Sequence, residues 1–435
     1  MAALSQAKDE NTGSANTSVS QESRMGRFSL TMAWWAVCSA VFYIVVGASL
    51  AISYGTINAI IGMMLSVVSY GIINAILSRH AIRSGESVAL FSRRLFGSSG
   101  AGLATLIFFT TAIYYAVFEG SVIALAVHEL FPSITYTMAS LIVVLYSVPL
   151  VLGSVQRWLD KFNCVLLPIY LGGLFICIAL SLYEYGYQPS WLTLGPDAPV
   201  ANGWWHCFTY YMGVWVLMLY TYDYARFGKP EDAQYHGRWN FGMPFYLVTF
   251  SLNGVAGIYL VASIPHQGEL SEISVVMAIL KLMGLAGLLF VWATQTRINT
   301  ANYYLATINM QSFFTKFGVK IDYVGWAIIV GVIVFGLMLA DVFSYLLKAL
   351  AYQGIFVVAW VGVALAYIAA DRHSQALVAF DSKGLTAWFG ATLAGLVLMS
   401  SDWSSLSAPA TAVASFTLHY LLCKHAEGSV LASQR

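Results

Sequence analysis

Long apolar runs separated by short polar segments cover most of the chain between residues 29 and 423. A helix needs roughly 20 residues, at 1.5 Å each, to cross about 30 Å of hydrocarbon. Twelve runs come close to or exceed that length. These predicted spans are 29–54, 57–78, 101–127, 137–154, 162–183, 205–224, 241–263, 275–307, 321–340, 343–370, 384–400 and 405–423. The pattern predicts an all-α polytopic membrane protein with twelve transmembrane helices.

The basic residues follow the alternation that this count requires. If the N-terminus is inside, every Lys and Arg outside the spans falls on an inner segment, and the outer connections have none. The inner set is Lys8, Arg24, Arg27, Arg79, Arg83, Arg93, Arg94, Arg157, Lys161, Arg226, Lys229, Arg238, Lys316, Lys320, Arg372, Lys383, Lys424 and Arg435. This asymmetry is the positive-inside pattern, so we expect both termini to lie in the cytoplasm. We expect the protein to lie in the plasma membrane or the bacterial inner membrane.

Composition narrows the classes of function. The chain is 59% apolar and only 9% charged, and its net charge of +1 does not favour a nucleic-acid partner. Residues 1–27 are predicted to be a disordered cytoplasmic tail, 28–424 the transmembrane domain and 425–435 a second cytoplasmic tail. No secretory signal pattern precedes the first span, which we therefore interpret as a true membrane helix. Five scattered cysteines predict neither a disulfide framework nor a metal site, and no cofactor is expected.

Three basic residues lie within the predicted spans. Lys281 and Lys348 are near outer helix ends, where their side chains can reach water. Arg297 differs because it stands in "ATQTRINTANYY", residues 293–304, where polar side chains surround the helix. Lipid does not tolerate such a surface, so this part of the eighth span must face protein or a water-filled cavity.

Glu119, in "AIYYAVFEGSVIAL" of the third span, is the best anionic partner for Arg297 in the sequence. One alternative is an ion pair that only joins two helices. The other is that one or both groups face a substrate cavity, which is the usual role of ionisable groups within a membrane. Four tyrosines add aromatic faces beside these polar groups, a combination that suits a small planar heterocycle. They are Tyr114, Tyr115, Tyr303 and Tyr304.

Three segments resemble the nucleobase:cation symporter-1 family of cytosine, purine, allantoin and hydantoin carriers. They are "GRFSLTMAWWAVCSA" at 26–40, "LYTYDYARFGKPED" at 219–232 and "RINTANYY" at 297–304. The resemblance implies the leucine-transporter fold, a 5+5 inverted repeat followed by two further helices. In that fold the first and sixth helices are interrupted near the midplane and the third and eighth flank them.

The resemblance also implies residue roles. Tyr115 falls on a position that stacks on the ligand, Glu119 on a hydrogen-bonding glutamine, and Asn302 on a ligand-contacting asparagine. A second stacking residue, in helix six, aligns with Val214, and we assign it to the neighbouring Trp215. Ala40, in the first helix, completes the predicted substrate-binding set.

The cation site is where the chain departs from sodium-coupled relatives. The resemblance places two sodium-binding carbonyls at Ala36 and Ser39 and two sodium-binding hydroxyls at Thr296 and Arg297. A guanidinium in place of a hydroxyl puts a permanent positive charge in this site. We therefore predict a coupling region formed by these four residues and Glu119, in which Arg297 substitutes for the ion.

These observations predict a secondary active transporter that imports a nucleobase of the cytosine or purine type or a related planar heterocycle. We expect it to be sodium-independent, either proton-coupled through Glu119 or uncoupled, and monomeric or weakly oligomeric in the bilayer. The alternatives are a carrier of allantoin, hydantoin or hydroxymethylpyrimidine compounds, a carrier of amino acids or other organic solutes on the same fold, or a receptor. A membrane enzyme is not favoured, since HExxH and GxSxG patterns are missing from the sequence.

Overall fold

The structure, a computed structural model, describes residues 18–152, 155–266, 269–271, 273–340, 343–370 and 378–433, with the side chains of all but 155–166 and 425–433. Within these ranges the regular secondary structure is helical. One isolated bridge joins Met25 to Gly228. The described residues thus agree with the all-α class.

The first predicted span is two helices. Helix α1 (Arg27–Trp35) leads through a 3₁₀ turn, Ala36–Ser39, into α2 (Val41–Tyr54), with a 44° bend between the two halves. The following helices are α3 (Thr56–Ser84), α4 (Val88–Gly100), α5 (Gly102–Leu130), α6 (Tyr136–Leu152), α7 (Val155–Tyr185), α8 (Gly203–Met212), α9 (Val216–Ala225), α10 (Pro230–Ser263), α11 (Ser274–Met283), α12 (Leu285–Thr315), α13 (Tyr323–Met338), α14 (Leu346–Ala369), α15 (Ser382–Met399) and α16 (Ser407–Ser433).

The order of these helices matches the twelve predicted spans, with two differences. The eighth predicted span, 275–307, is two helices, because Gly284 adopts a φ of 52° and turns the chain between α11 and α12. The segment 88–100, predicted as a connection, is the helix α4, capped at its start by the Ser87 hydroxyl and kinked at Gly97, where φ is 84°. Apolar periodicity alone does not separate two helices that meet at a glycine.

The sixth span is a continuous helix in which one turn has the tighter 3₁₀ geometry. Helices α8 and α9 are joined by a 3₁₀ turn, Gly213–Trp215, whose residues keep right-handed helical angles. In the first span, by contrast, Ala40 takes an extended conformation with ψ of 126° and ends the helical hydrogen bonding. The two expected interruptions therefore differ: the first helix is broken at Ala40, and the sixth contains only a 3₁₀ turn.

Two apolar cores divide the bundle. The smaller joins α5, α6, α12 and α13 through residues such as Val117, Val143, Tyr303 and Val330. The larger joins buried residues of α2, α3, α8, α9, α10 and α14. Helix α5 belongs to both cores, so it carries side chains for the scaffold on one face and for the interrupted helices on the other.

The basic segments meet at one end of the bundle, here called the basic end. Arg24 donates to the carbonyls of Ile82 and Gly228, both at 2.5 Å, and Arg27 pairs with Asp232 at 2.5 Å. Lys316 donates to the Ser99 carbonyl at 3.4 Å. Of the predicted inner set, Lys8, Arg157, Lys161, Arg372 and Arg435 lie outside the described side chains. Lys281 and Lys348 are exposed, as expected for lysines that reach water.

Part of each predicted tail, 18–26 and 425–433, belongs to the folded structure. Residues 1–17 lie outside the described residues, but Val19 donates its backbone N–H to Gly85 at 3.0 Å. The segment 18–26 is therefore packed against the basic end and is part of the fold. At the other terminus α16 continues to Ser433, through the segment 425–433 that was assigned to a tail.

A close approach between Gly47 of α2 and Gly254 of α10 generates the first prediction. A Cβ at Gly47 would collide with the backbone of Gly254, which cannot move aside as a flexible side chain can. We expect Gly47→Ala to lower the thermal unfolding temperature, with a cost of about 1–3 kcal/mol for overpacking. Differential scanning fluorimetry of the purified protein measures this shift.

Gly336→Ala on α13 is the matched control, since nothing lies within 4 Å of a Cβ there. Its unfolding temperature should stay the same or rise, because alanine favours the helix. Equal behaviour of the two variants would contradict the close-approach argument.

Candidate functional site

The break at Ala40 leaves backbone groups that need partners within the membrane. Residues on other helices supply them. Gln295 of α12 accepts the Val41 N–H at 3.0 Å, and Asn253 of α10 donates to the Cys38 carbonyl at 2.8 Å. In hydrocarbon an unsatisfied backbone group costs several kcal/mol, so these amides allow the helix to be broken here.

Arg297 is also held at this break. Its guanidinium donates to the Ala36 carbonyl and, at 3.3 Å, to the Ser39 hydroxyl. The Ser39 hydroxyl in turn donates to the Ala36 carbonyl at 2.8 Å. Only 8% of Arg297 is exposed, so a buried positive charge lies against the carbonyl end of the first half-helix. This is the electrostatically favourable end for a cation.

Glu119 of α5 does not form an ion pair with Arg297. The ion pairs that the structure gives for its described residues join Arg27 to Asp232 and Arg94 to Glu86. The Glu119 carboxylate instead accepts a hydrogen bond from the Gln295 amide. Of the two alternatives from the sequence, the ion pair that only joins two helices is therefore wrong. Gln295, which the sequence did not single out, links the carboxyl group to the broken helix.

Tyr115 lies one turn from Glu119 on α5 and faces the interrupted helices. The ring of Phe42, on α2, meets it edge to face with 5.1 Å between centroids. Gln353 of α14 donates to the Tyr115 hydroxyl at 3.4 Å and to the Gly213 carbonyl at 3.0 Å. Gln353 thus connects α5 to the tightened turn of the sixth span, a link that nothing in the sequence pattern indicated.

Several buried polar atoms near these helices have no hydrogen-bond partner among the described residues. They include the Trp215 indole N–H, the Asn302 side-chain NH₂ group, both ends of the Asn299 amide and the Tyr114 hydroxyl. Gln295, Asn299 and Asn302 are spaced four and three residues apart, so they share one face of α12 over about two turns. Buried polar groups are normally paired, so this set can recognise a polar ligand.

The structure separates some of the residues that the sequence grouped. Thr296 directs its hydroxyl to Tyr146 of α6, at 2.8 Å, rather than to the first helix. Ser39 meets Arg297 through its hydroxyl and not through its carbonyl. The Trp215 ring packs edge-on against Tyr70 of α3, with 6.1 Å between centroids. Of the predicted coupling residues, Ala36, Ser39 and Arg297 are brought together and Thr296 is not.

Neither a scan against protein-family models nor a search of curated proteins finds a match to this sequence. Solved structures do match. Mhp1, a nucleobase-cation-symport-1 family transporter, in a closed conformation with bromovinylhydantoin bound, gives a TM-score of 0.72 at 17% identity, covering 96% of each chain. The inward-facing conformation of Mhp1 gives a TM-score of 0.78 at 16% identity, covering 96% of this chain and 94% of that one.

A Na⁺-coupled sialic acid symporter is a more distant match, with a TM-score of 0.55 at 10% identity over 95% of this chain and 93% of its own. At these identities the likeness establishes the fold. The expected inverted repeat of five helices plus two is confirmed at this level, with α5 and α12 as the third and eighth helices. The chain has the membrane-embedded, leucine-transporter-type fold of the Mhp1 structures over nearly its full length.

Proposed function

We propose that the protein is a secondary active transporter that imports a nucleobase of the cytosine or purine type or a closely related planar heterocycle. The observation that carries the proposal is the set of buried polar groups on α5, on α12 and in the turn between α8 and α9 that have no hydrogen-bond partner among the described residues. In transporters of this fold the substrate lies near the bilayer midplane at interrupted helices, as the first span is here. The Mhp1 structure with bromovinylhydantoin supports a heterocycle as the class of ligand.

The residues present suit a ligand that donates hydrogen bonds. One oxygen of Glu119 is engaged by Gln295, which leaves the other oxygen free to accept from ring N–H or exocyclic amino groups. Asn302 offers a donor, and its neighbour Asn299 offers both a donor and an acceptor. Tyr115 supplies an aromatic face. Cytosine, adenine and guanine present more donors than uracil, so they fit this set better.

Arg297 supports sodium-independent transport. Its guanidinium already occupies the Ala36 carbonyl that would otherwise be available to a cation, and it cannot be deprotonated at physiological pH. A sodium ion that entered this site would be repelled by this fixed positive charge. We infer that the arginine holds the end of the first half-helix as a bound ion would, but without being exchanged in each cycle.

Transport is then either coupled to protons or uncoupled. Glu119 is the residue we assign as proton carrier, because it is buried and within reach of the proposed ligand. We place the basic end in the cytoplasm, with the protein in the plasma or bacterial inner membrane as a monomer or weak oligomer. An allantoin, hydantoin or hydroxymethylpyrimidine carrier uses the same site with a different hydrogen-bond pattern, and the ligand panel below separates these possibilities.

The ligand class can be tested by a thermal-shift panel. Purified protein is heated with cytosine, adenine, guanine, hypoxanthine, uracil, allantoin, hydantoin, hydroxymethylpyrimidine and a set of amino acids, each in sodium and in potassium buffer. A ligand at about a hundred times its dissociation constant stabilises by roughly 2.7 kcal/mol. We expect one donor-rich base to raise the unfolding temperature equally in both salts. A shift with amino acids alone, or with none of the compounds, would reject the heterocycle proposal.

The role of Arg297 predicts a gain of sodium dependence. Replacing Arg297 by Thr restores a hydroxyl and frees the Ala36 carbonyl, so heterocycle binding should become stronger in sodium than in potassium. Titration of the variant in the two salts measures this difference. Arg297→Lys keeps the positive charge and is the control that should remain sodium-indifferent. A folded threonine variant with equal affinities in both salts would count against the ion-substitute role.

Glu119 as proton carrier predicts a change in pH dependence. Glu119→Gln removes the titrating group but keeps a hydrogen-bonding side chain of the same size, so uptake into proteoliposomes should lose its dependence on pH. Glu129→Gln, at the exposed end of the same helix, should keep the wild-type profile. If Glu119→Gln retains that profile, another group carries the proton.

A further inference from the structure

We propose that a cavity at the basic end, between α3, α4 and α14, binds a phosphate group, specifically the headgroup of an anionic phospholipid. The cavity has a volume of about 550 Å³, and its lining includes Arg79, Arg83, Glu86, Arg94 and Tyr367. It is separate from the proposed heterocycle site, which lies at the break of the first helix. The inference does not depend on transport.

The charge in this cavity is unbalanced. Among the described residues that line it, Glu86 is the one acidic residue, and its carboxylate is engaged by Arg94, with 2.6 Å between Oε1 and the guanidinium. Arg79 donates its Nε–H to the Ala75 carbonyl of its own helix at 2.7 Å, which leaves its terminal NH₂ groups available. Arg83 is exposed and forms no ion pair within the described part of the chain. Among the described residues these two guanidinium groups therefore have no anionic partner, and guanidinium groups bind phosphate bidentately.

The approach to the cavity favours a lipid over free phosphate. Ile72, Ile76, Arg79 and Arg83 are spaced four, three and four residues apart, so they form one stripe along α3. Ile72 is 52% exposed and Ile76 is 40% exposed, and Ile76 also lines the cavity. The stripe is apolar toward the middle of the bundle and basic at the end of the helix. An acyl chain along the isoleucines would bring its headgroup to the arginines.

The cavity is also connected to the inner half of the sixth span. His80, which lines it, bonds to the Tyr222 hydroxyl of α9 at 2.6 Å. Phe91 of α4 stacks on the Tyr222 ring at 4.7 Å with an interplanar angle of 10°. Asp223 accepts the Val88 N–H, at the start of α4, at 3.1 Å. A lipid headgroup bound here would contact the elements that hold α9 in place.

Lipid binding to the purified full-length protein tests the proposal. Detergent-solubilised protein is titrated with phosphatidylglycerol, with phosphatidylcholine or with inorganic phosphate, and binding is followed by thermal shift and by native mass spectrometry. The variant Arg79→Gln/Arg83→Gln removes the two free guanidinium groups. Arg94 is left intact, because its removal would leave Glu86 as a buried charge without its partner. Lys320→Gln/Lys383→Gln removes the same charge at the basic end outside the cavity and is the control.

We expect phosphatidylglycerol, and not phosphatidylcholine, to bind and stabilise the wild-type protein. The arginine variant should bind it more weakly by on the order of tenfold or more, while the lysine control binds as wild type does. Size-exclusion chromatography and helix content check that the variants are folded. Equal affinity of the arginine variant and the control, or equal binding of both lipids, would overturn the proposal. Stabilisation by inorganic phosphate to the same extent as by the lipid would overturn the lipid as its source.

Discussion

The structure depends on how the backbone hydrogen-bonding groups at one break in a membrane helix find partners. At Ala40 the first span loses its internal hydrogen bonds, and hydrocarbon offers no water to replace them. The freed groups are met by side chains from two other helices, Gln295 and Arg297 on α12 and Asn253 on α10. Each of these side chains is buried, so α10 and α12 are fixed in rotation and depth against the broken helix.

Gln295 extends this arrangement to the proposed substrate site. Its carbonyl oxygen accepts from Val41 and its amide group donates to Glu119, so one side chain joins the half-helix α2 to α5. A change in the position of α2 therefore changes the environment of the Glu119 carboxyl group. A carboxyl group that shares a hydrogen-bond network with a movable helix can link protonation to conformation, which a simple ion pair with Arg297 would not provide.

Arg297 shows how a fixed charge differs from a bound ion. A sodium ion stabilises a conformation only while it is bound, so its concentration gradient can drive a cycle. A guanidinium that donates to the Ala36 carbonyl is present in every step, and its stabilisation cannot be withdrawn by dilution. The Ala36 carbonyl and the Ser39 hydroxyl, in the 3₁₀ turn before Ala40, give this charge partners in place of water. In the proposed role of Arg297, the fold keeps the electrostatics of an occupied cation site without exchange of an ion.

The sequence by itself determined the membrane class, the order of the twelve spans and the placement of Glu119 and Arg297 within the third and eighth of them, because apolar run length and charge placement are properties of single helices. It did not determine that Glu119 bonds to Gln295, that Thr296 turns to Tyr146 or that Gln353 reaches Gly213. Those pairings depend on how far each helix is rotated and shifted against its neighbours. One residue of shift turns a side chain by about 100°, so only the tertiary structure decides them.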